Sequence, residues 1–305
     1  MSAKSSVTPA NLSPDDAQGK RKRQPRRLAG MRPNWMRPKI TLSATFLAGV
    51  TLLAILGPIL GADSTAIHAD LPSLPPFPCP GSLSDYPLGT DDLGRDLLSR
   101  LAVGARISLF IGLATALVAV FIGTLYGTLS AWFEGKLDAI LMRIIDVIYA
   151  LPALMIVILF SVFMGRSVLS LVLALALFSW PDTARLIRGQ VLAIKREEYI
   201  EAYHSIGGGL GRLITRHFIP NTTGLIMLSA TMTVPRAILT ESTLSFIGLG
   251  VEPPLSSWGT LAGEGWQLVR IAPHILLFPA LMIFSAMIAL NLLGDGLREW
   301  LDPKR

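Results

Sequence analysis

Residues 107–133 read ISLFIGLATALVAVFIGTLYGTLSAWF, without one charged side chain. A helix rises about 1.5 Å per residue, so crossing a hydrocarbon core roughly 30 Å thick takes about 20 apolar residues. This run is long enough to cross with tilt to spare. Outward from it, Ile40–Ala62, Val147–Gly165 (its helix starting near Leu137), Phe218–Pro235 and Ile271–Gly294 repeat the pattern. Ser167–Pro181 is shorter and continues through Asp182 to an interfacial Arg185. Helices buried in a large soluble protein would need thick polar shells. With 51% hydrophobic and 16% charged residues, against roughly 25% charged in ordinary globular domains, the chain lacks them. The expected fold is an all-α integral membrane protein with six transmembrane helices.

The net charge of +6 is informative through its placement. Ten Lys/Arg precede Ile40, and six more lie in Arg185–Pro220. With the N-terminus inside, twenty of the 27 basic residues fall in inner segments and four in outer ones, so both termini are expected in the cytoplasm. The basic N-terminus carries Arg21-Lys22-Arg23 and Arg26-Arg27, a pattern that also suits nucleic acid. Followed at once by a span, it reads as a topology determinant resting on anionic membrane lipid, with no nucleic-acid partner. No small-residue cleavage site follows the first apolar run, so that span is expected to be retained. The expected layout is a basic segment 1–38, a first span 39–62, and an outer loop with interfacial helix 63–103. A five-helix core 104–296 containing an inner loop 185–220, and a cytoplasmic tail 297–305, complete it.

The outer loop opens with prolines (Leu71–Pro80) that forbid a regular helix. In Leu88–Asp96, Thr90 is expected to cap a short interfacial helix, with Asp91 and Asp92 in its first turn and ion pairing to Arg95; metal binding is the rarer use of such residues. Gly123-x-x-x-Gly127 suits close helix packing. Arg143 and Asp146 can pair at i, i+3, and Pro152 and Pro279 should kink or loosen their helices. A second outer segment, Glu241–Arg270, carries Trp258 and Trp266, expected at the membrane boundary. Cys79 is the sole cysteine, so neither an internal disulfide nor a multi-cysteine metal site can form. No GxxxxGK[ST], HExxH or GxSxG occurs, and no paired carboxylates lie deep in a span. Neither an enzyme nor a self-powered transporter is expected.

Arg185–Pro220 interleaves charged residues with Leu186, Ile187, Val191, Leu192, Ile194, Tyr199 and Ile200 at amphipathic helical spacing. Gly207-Gly208-Gly209 breaks that helix, each glycine costing about 1 kcal/mol inside one. A second short helix, Leu210–Phe218, then leads to Pro220. Helix, glycine turn and helix make either a membrane-surface hairpin or a docking knob.

Glu201-Ala202-Tyr203, Gly207 and His217-Phe218-Ile219-Pro220 resemble the EAA motif (E-A-A-x3-G-x9-I-x-L-P) of permeases in binding-protein-dependent ABC importers. Tyr203 and His217 depart from it. Arg216-His217-Phe218-Ile219-Pro220-Asn221 is similar to the R-H-x-x-P-N of the oligopeptide/dipeptide branch, and Leu88–Asp96 to its LGTDxxGRD signature. Leu244–Gly250, Ser257-Trp258-Gly259, Gly294–Arg298 and Leu301–Lys304 fit as well. The resemblance, covering Leu88 to the C-terminus, is to the second, C-type permease subunits of that branch.

It implies a type I ABC importer permease fold in a bacterial inner membrane. It also implies a translocation path shared with a homologous permease, two ABC ATPase subunits beneath, and an extracytoplasmic substrate-binding protein delivering peptide. Tyr199, Glu201, Ala202, Tyr203, Gly207 and Pro220 would couple this chain to one ATPase subunit. The chain would bind no cofactor; ATP and Mg would be used by the partners. A permease for nickel, an oligosaccharide or glutathione, and a membrane scaffold without transport, remain open readings.

Overall fold

The computed structural model describes residues 36–60, 63–205 and 209–301. Most of the basic N-terminal segment, Gly207, Gly208 and the terminal Asp302-Pro303-Lys304 lie outside the described residues, as do the side chains of Glu201, Ala202 and Leu301. The helices are α1 Met36–Leu60, α2 Leu97–Phe133, α3 Gly135–Ala150, α4 Ala153–Met164, α5 Val168–Ile194, α6 Glu198–Ser205, α7 Leu210–Leu213, α8 Ile219–Phe246, α9 Trp258–Gln267 and α10 His274–Leu301. No β-sheet forms among the described residues, as the all-α expectation requires; Thr90 and Asp96 make one isolated bridge.

Five of these helical stretches are long and apolar enough to span a membrane, and the bent pair α3–α4 makes a sixth if counted as one span. Their lipid suitability shows in what they expose. Phe110, Leu113, Leu117 and Phe121 form a stripe along α2, each more than half exposed, a patch that water would penalise and hydrocarbon does not.

At 37 residues, α2 is about 55 Å long at ~1.5 Å per residue, and it forms the spine of the bundle. The two glycines of its small-residue motif face α5. A Cβ on Gly127 would sit 2.3 Å from the Ala184 carbonyl oxygen, and one on Gly123 2.7 Å from that of Trp180. Only a bare backbone allows this approach, as the motif led us to expect. Gly112 makes room in the same way for Ile238 of α8.

Several boundaries differ from the sequence reading. The interfacial helix expected before the second span is simply the start of α2, and its cap is Asp96, not Thr90. The Asp96 carboxylate accepts from the Ser99 amide at 3.0 Å and the Leu98 amide at 3.3 Å. Thr90 instead ties down the proline-rich loop, its hydroxyl donating to Leu71 O at 2.6 Å and accepting from the Leu74 amide at 2.9 Å. Gly94, at φ +73°, lets that loop close: a Cβ there would lie 1.9 Å from His68 O. The expected ion pairing is present, since Asp91 meets Arg95 and Arg100, each at 2.6 Å.

The third span breaks at Leu151-Pro152, where α3 and α4 meet at 84°. Leu151 is extended (φ −79°, ψ 141°), the conformation a residue before proline prefers, so the helix ends outright where a kink was expected. Pro279, by contrast, sits inside an uninterrupted α10. The fourth and fifth spans run further than their charge-free cores. α5 continues past Asp182 and Arg185 to Ile194, and α8 continues past Pro235 and Arg236 to Phe246, so Glu241 is helical. Charge neutralisation explains the extension: Arg236 pairs with Asp182 at 2.7 Å and Arg185 with Asp146 at 2.5 Å. Asp146 is correspondingly 3.9 Å from Arg143, the partner its spacing suggested. Trp266 is exposed, but Trp258 is fully buried, its indole donating to Leu101 O at 3.2 Å. It is a core residue between α1, α2, α8 and α10, not a boundary residue.

Candidate functional site: the connection between α5 and α8

The connection begins where α5 ends. Lys195 Nζ donates to Trp132 O at 2.8 Å, lies 5.2 Å from the Trp132 ring and pairs with Glu134 at 3.2 Å. About two turns earlier, Arg188 grips Asp138 through two bonds of 2.6 and 2.5 Å, while Ser130 donates to the same carboxylate. A bidentate guanidinium–carboxylate pair fixes orientation as well as distance. The base of the connection is therefore fastened to the turn between α2 and α3.

α6 is only eight residues long, too short to be stable in isolation. Packing holds it. Ile200 is fully buried in a cluster with Ala131 of α2, Ile187, Val191 and Ile194 of α5, Leu213 of α7 and Phe218. The expected second helix, Leu210–Phe218, is not separate from the fifth span. α7 passes through a π-helical turn, Ile214–Phe218, directly into α8, with the Ile219 amide donating to Ile214 O. The proline ring of Pro220 has no N–H and would press on the carbonyl four residues earlier in a straight helix, and the widened turn lies just ahead of it. Pro220 itself is exposed.

The six residues singled out from the motif divide as follows. Tyr199 is exposed, and Tyr203 is half-buried against the aliphatic cluster. Glu201 and Ala202 occupy the middle of α6, and Gly207 lies outside the described residues. His217 brings the two tyrosines together, its ring centroid 5.3 Å from that of Tyr203 and 6.0 Å from that of Tyr199. Asn221 then donates to His217 O at 2.7 Å and to the Tyr199 hydroxyl at 3.4 Å. Tyr203 and His217, which both depart from the motif, are thus neighbours, a ring on one helix met by a ring on the next. Ile200, Leu213 and Phe218 were not singled out from the sequence. Their signal was present as apolar residues inside a charged segment, but it does not tell a buried anchor from a lipid-facing side chain. Among the described residues no three His, Cys, Asp or Glu side chains are grouped to hold a metal ion.

The connection is a short amphipathic helix set on an aliphatic socket, with unbroken helix leading away on both sides. Such an arrangement can accept a load and transmit it.

Residues 119–305 match the family described as the binding-protein-dependent transport system inner membrane component. The chain is 41% identical over 259 residues to the oligopeptide transport system permease protein OppC of Bacillus subtilis (strain 168), covering 84% of this chain and 82% of that protein. It is 42% identical over 270 residues to the dipeptide transport system permease protein DppC of the same organism (87% and 82% covered). It is also 43% identical over 224 residues to the glutathione transport system permease protein GsiD of Pectobacterium atrosepticum (73% and 74% covered). These relatives are transport permeases and not enzymes, and the apolar helices agree with a multi-pass inner-membrane protein. The chain belongs to the binding-protein-dependent ABC importer permeases of the oligopeptide/dipeptide family.

Proposed function

We propose that this permease imports peptides, sharing one translocation path with a second, homologous permease, and is driven through the connection between α5 and α8. The carrying observation is continuity. α5 runs unbroken into the base of the connection, and residues 211–246 leave it as one helical stretch. A push on α6 therefore moves two spanning helices directly, with Ile200 and Phe218 as the joint. The distribution of Lys and Arg supports cytoplasmic termini, which puts the connection on the side where ATP is available. There an ABC ATPase subunit grips the segment bearing Tyr199, Glu201, Ala202, Tyr203, Gly207 and Pro220. Two such subunits use ATP and Mg; this chain binds neither. An extracytoplasmic binding protein loads the opposite end. ATP-driven closure of the motor subunits then shifts the helices between inward-open and outward-open arrangements.

The glutathione relative gives a second cargo reading, since glutathione is itself a short peptide derivative. Growth on defined peptides as sole amino-acid source, against growth on glutathione as sole sulfur source, separates the two. The coupling role is tested in proteoliposomes holding the complete importer. Ala202→Arg and Gly207→Pro are expected to leave ATP hydrolysis running while peptide uptake falls to background. Normal uptake by both variants would refute it.

A further inference from the structure

A second polar feature lies within the spans, away from the connection. The Tyr149 hydroxyl of α3 donates to Asp182 Oδ1 of α5, and Arg236 Nη1 of α8 donates to Asp182 Oδ2 at 2.7 Å. The Arg185 guanidinium lies 4.5 Å above the Tyr149 ring and donates to Asp146 at 2.5 Å. Three helices thus carry two ion pairs, Arg236–Asp182 and Arg185–Asp146, bridged by Tyr149 to make one chain of charges.

Its depth follows from helix length. At ~1.5 Å per residue, Asp182 lies about 21 Å along α5 from Val168, and Arg236 about 15 Å along α8 from Phe246. Both positions lie well inside helices that are long and apolar enough to span a membrane. Yet the side chains of Arg236 and Asp182 are 72% and 47% exposed in the single chain. Lipid tails cannot solvate them; charged groups at this depth face water or protein. This face is the counterpart of the apolar stripe on α2, which suits lipid.

Each helix also carries or meets a proline beside these charges. Pro181 directly precedes Asp182, Pro235 directly precedes Arg236, and the break at Pro152 follows Tyr149 within three residues. Proline removes a ladder hydrogen bond, so all three helices are loosened at the level of the pair. The pair can part without tearing a regular helix.

We propose that Asp182 and Arg236, backed by Tyr149, form a cargo-contact station in the wall of the translocation path. There the carboxylate takes a passing peptide's ammonium group and the guanidinium its carboxylate, in exchange for their mutual ion pair. Adjacent opposite charges can each take one terminus of a peptide as it passes and give no preference for cargo of one net sign. The proposal rests on the peptide-importer reading above.

The test uses the complete importer in proteoliposomes and labelled tetra-alanine in three forms: unmodified, N-acetylated and C-amidated, each at concentrations that saturate the binding protein. The wild type is expected to carry the unmodified peptide about tenfold faster than either blocked form, the effect of one charge-assisted hydrogen bond. Arg236→Gln should abolish discrimination against the amide only, and Asp182→Asn discrimination against the acetylated form only. If Arg236→Gln fails to assemble with its partners, Arg236→Lys, which keeps the charge without the fork, should reduce the amide discrimination. No discrimination in the wild type, or discrimination unchanged in the variants, would overturn the station. Raised basal ATP hydrolysis with discrimination intact would also overturn it, assigning the pair to a purely structural latch. In all of these cases wild-type uptake of tetra-alanine leaves the importer reading standing. Absence of that uptake would remove the reading and the station together.

Discussion

The two ends of the bundle are held together by different physics. At the end formed by residues 63–96 and α9, the fixings are buried and directional. Asp91 is fully buried, accepting from the Leu93 and Arg95 amides and from the Arg95 and Arg100 guanidiniums; Arg100 reaches across to Glu264 of α9 at 2.6 Å. Beside it Glu241, also fully buried, accepts from Ser245 at 2.6 Å and Ser108 at 3.2 Å. At the connection end the bidentate Arg188–Asp138 pair fastens the base, but α6 itself is held by an aliphatic socket around Ile200, with aromatic contacts of 5 to 6 Å and hydrogen bonds as long as 3.4 Å. Hydrogen-bonded charges tolerate one arrangement. Apolar burial is non-directional, so a side chain can tilt within its socket at small cost. α6 is thus held less directionally than the opposite end of the bundle.

That contrast can be broken at four points of decreasing effect. Asp91→Ala strips the buried Arg100 and the partly buried Arg95 of a shared partner and should cost about 3–5 kcal/mol, seen as loss of the folded subunit on thermal unfolding in detergent. Ile200→Ala should cost about 2–4 kcal/mol at the socket, with its main readout in coupling: uptake per ATP falls while the subunit still inserts. Tyr203 and His217 form a tighter test. A double-mutant cycle with Tyr203→Ala and His217→Ile, which restores the family motif at both positions, should give a coupling of about 0.5–1.5 kcal/mol in unfolding. Zero coupling would mean that the two rings are neighbours without consequence. Lys195→Ala should change stability by only about 0–1 kcal/mol, because its partner Glu134 is more than half exposed to solvent, and added salt should shrink even that.

The spans were legible because the bilayer sets their length: each charge-free run corresponds to a helix or, for the third, a broken pair. Their ends were not, since a charge ends a sequence run but not a helix when a partner waits on the next element. Asp182 and Arg236 are that case, and each was unreadable without the other. Prolines were ambiguous for a similar reason. Pro152 ends a helix, while Pro181, Pro235 and Pro279 are carried inside theirs, and nothing local distinguishes them. Trp258 looked like a boundary residue from its loop of prolines and glycines; only the cavity between four helices makes it core. At the candidate site the motif located the connection, but the joint itself, Ile200 with Leu213 and Phe218, depends on contacts across 87 residues of sequence from Ala131 to Phe218.

The proposal that ATP-driven motion enters at the connection is open to one direct measurement. In a Cys79→Ser background, Tyr199→Cys places a single thiol on the exposed side of α6, where a photoactivatable maleimide can be attached. On illumination of the assembled importer, an adduct with an ATPase subunit is the expected product, and binding of a non-hydrolysable ATP analogue should change its yield. An adduct only with lipid, in a preparation whose ATPase subunits still co-purify with the permease, would contradict it.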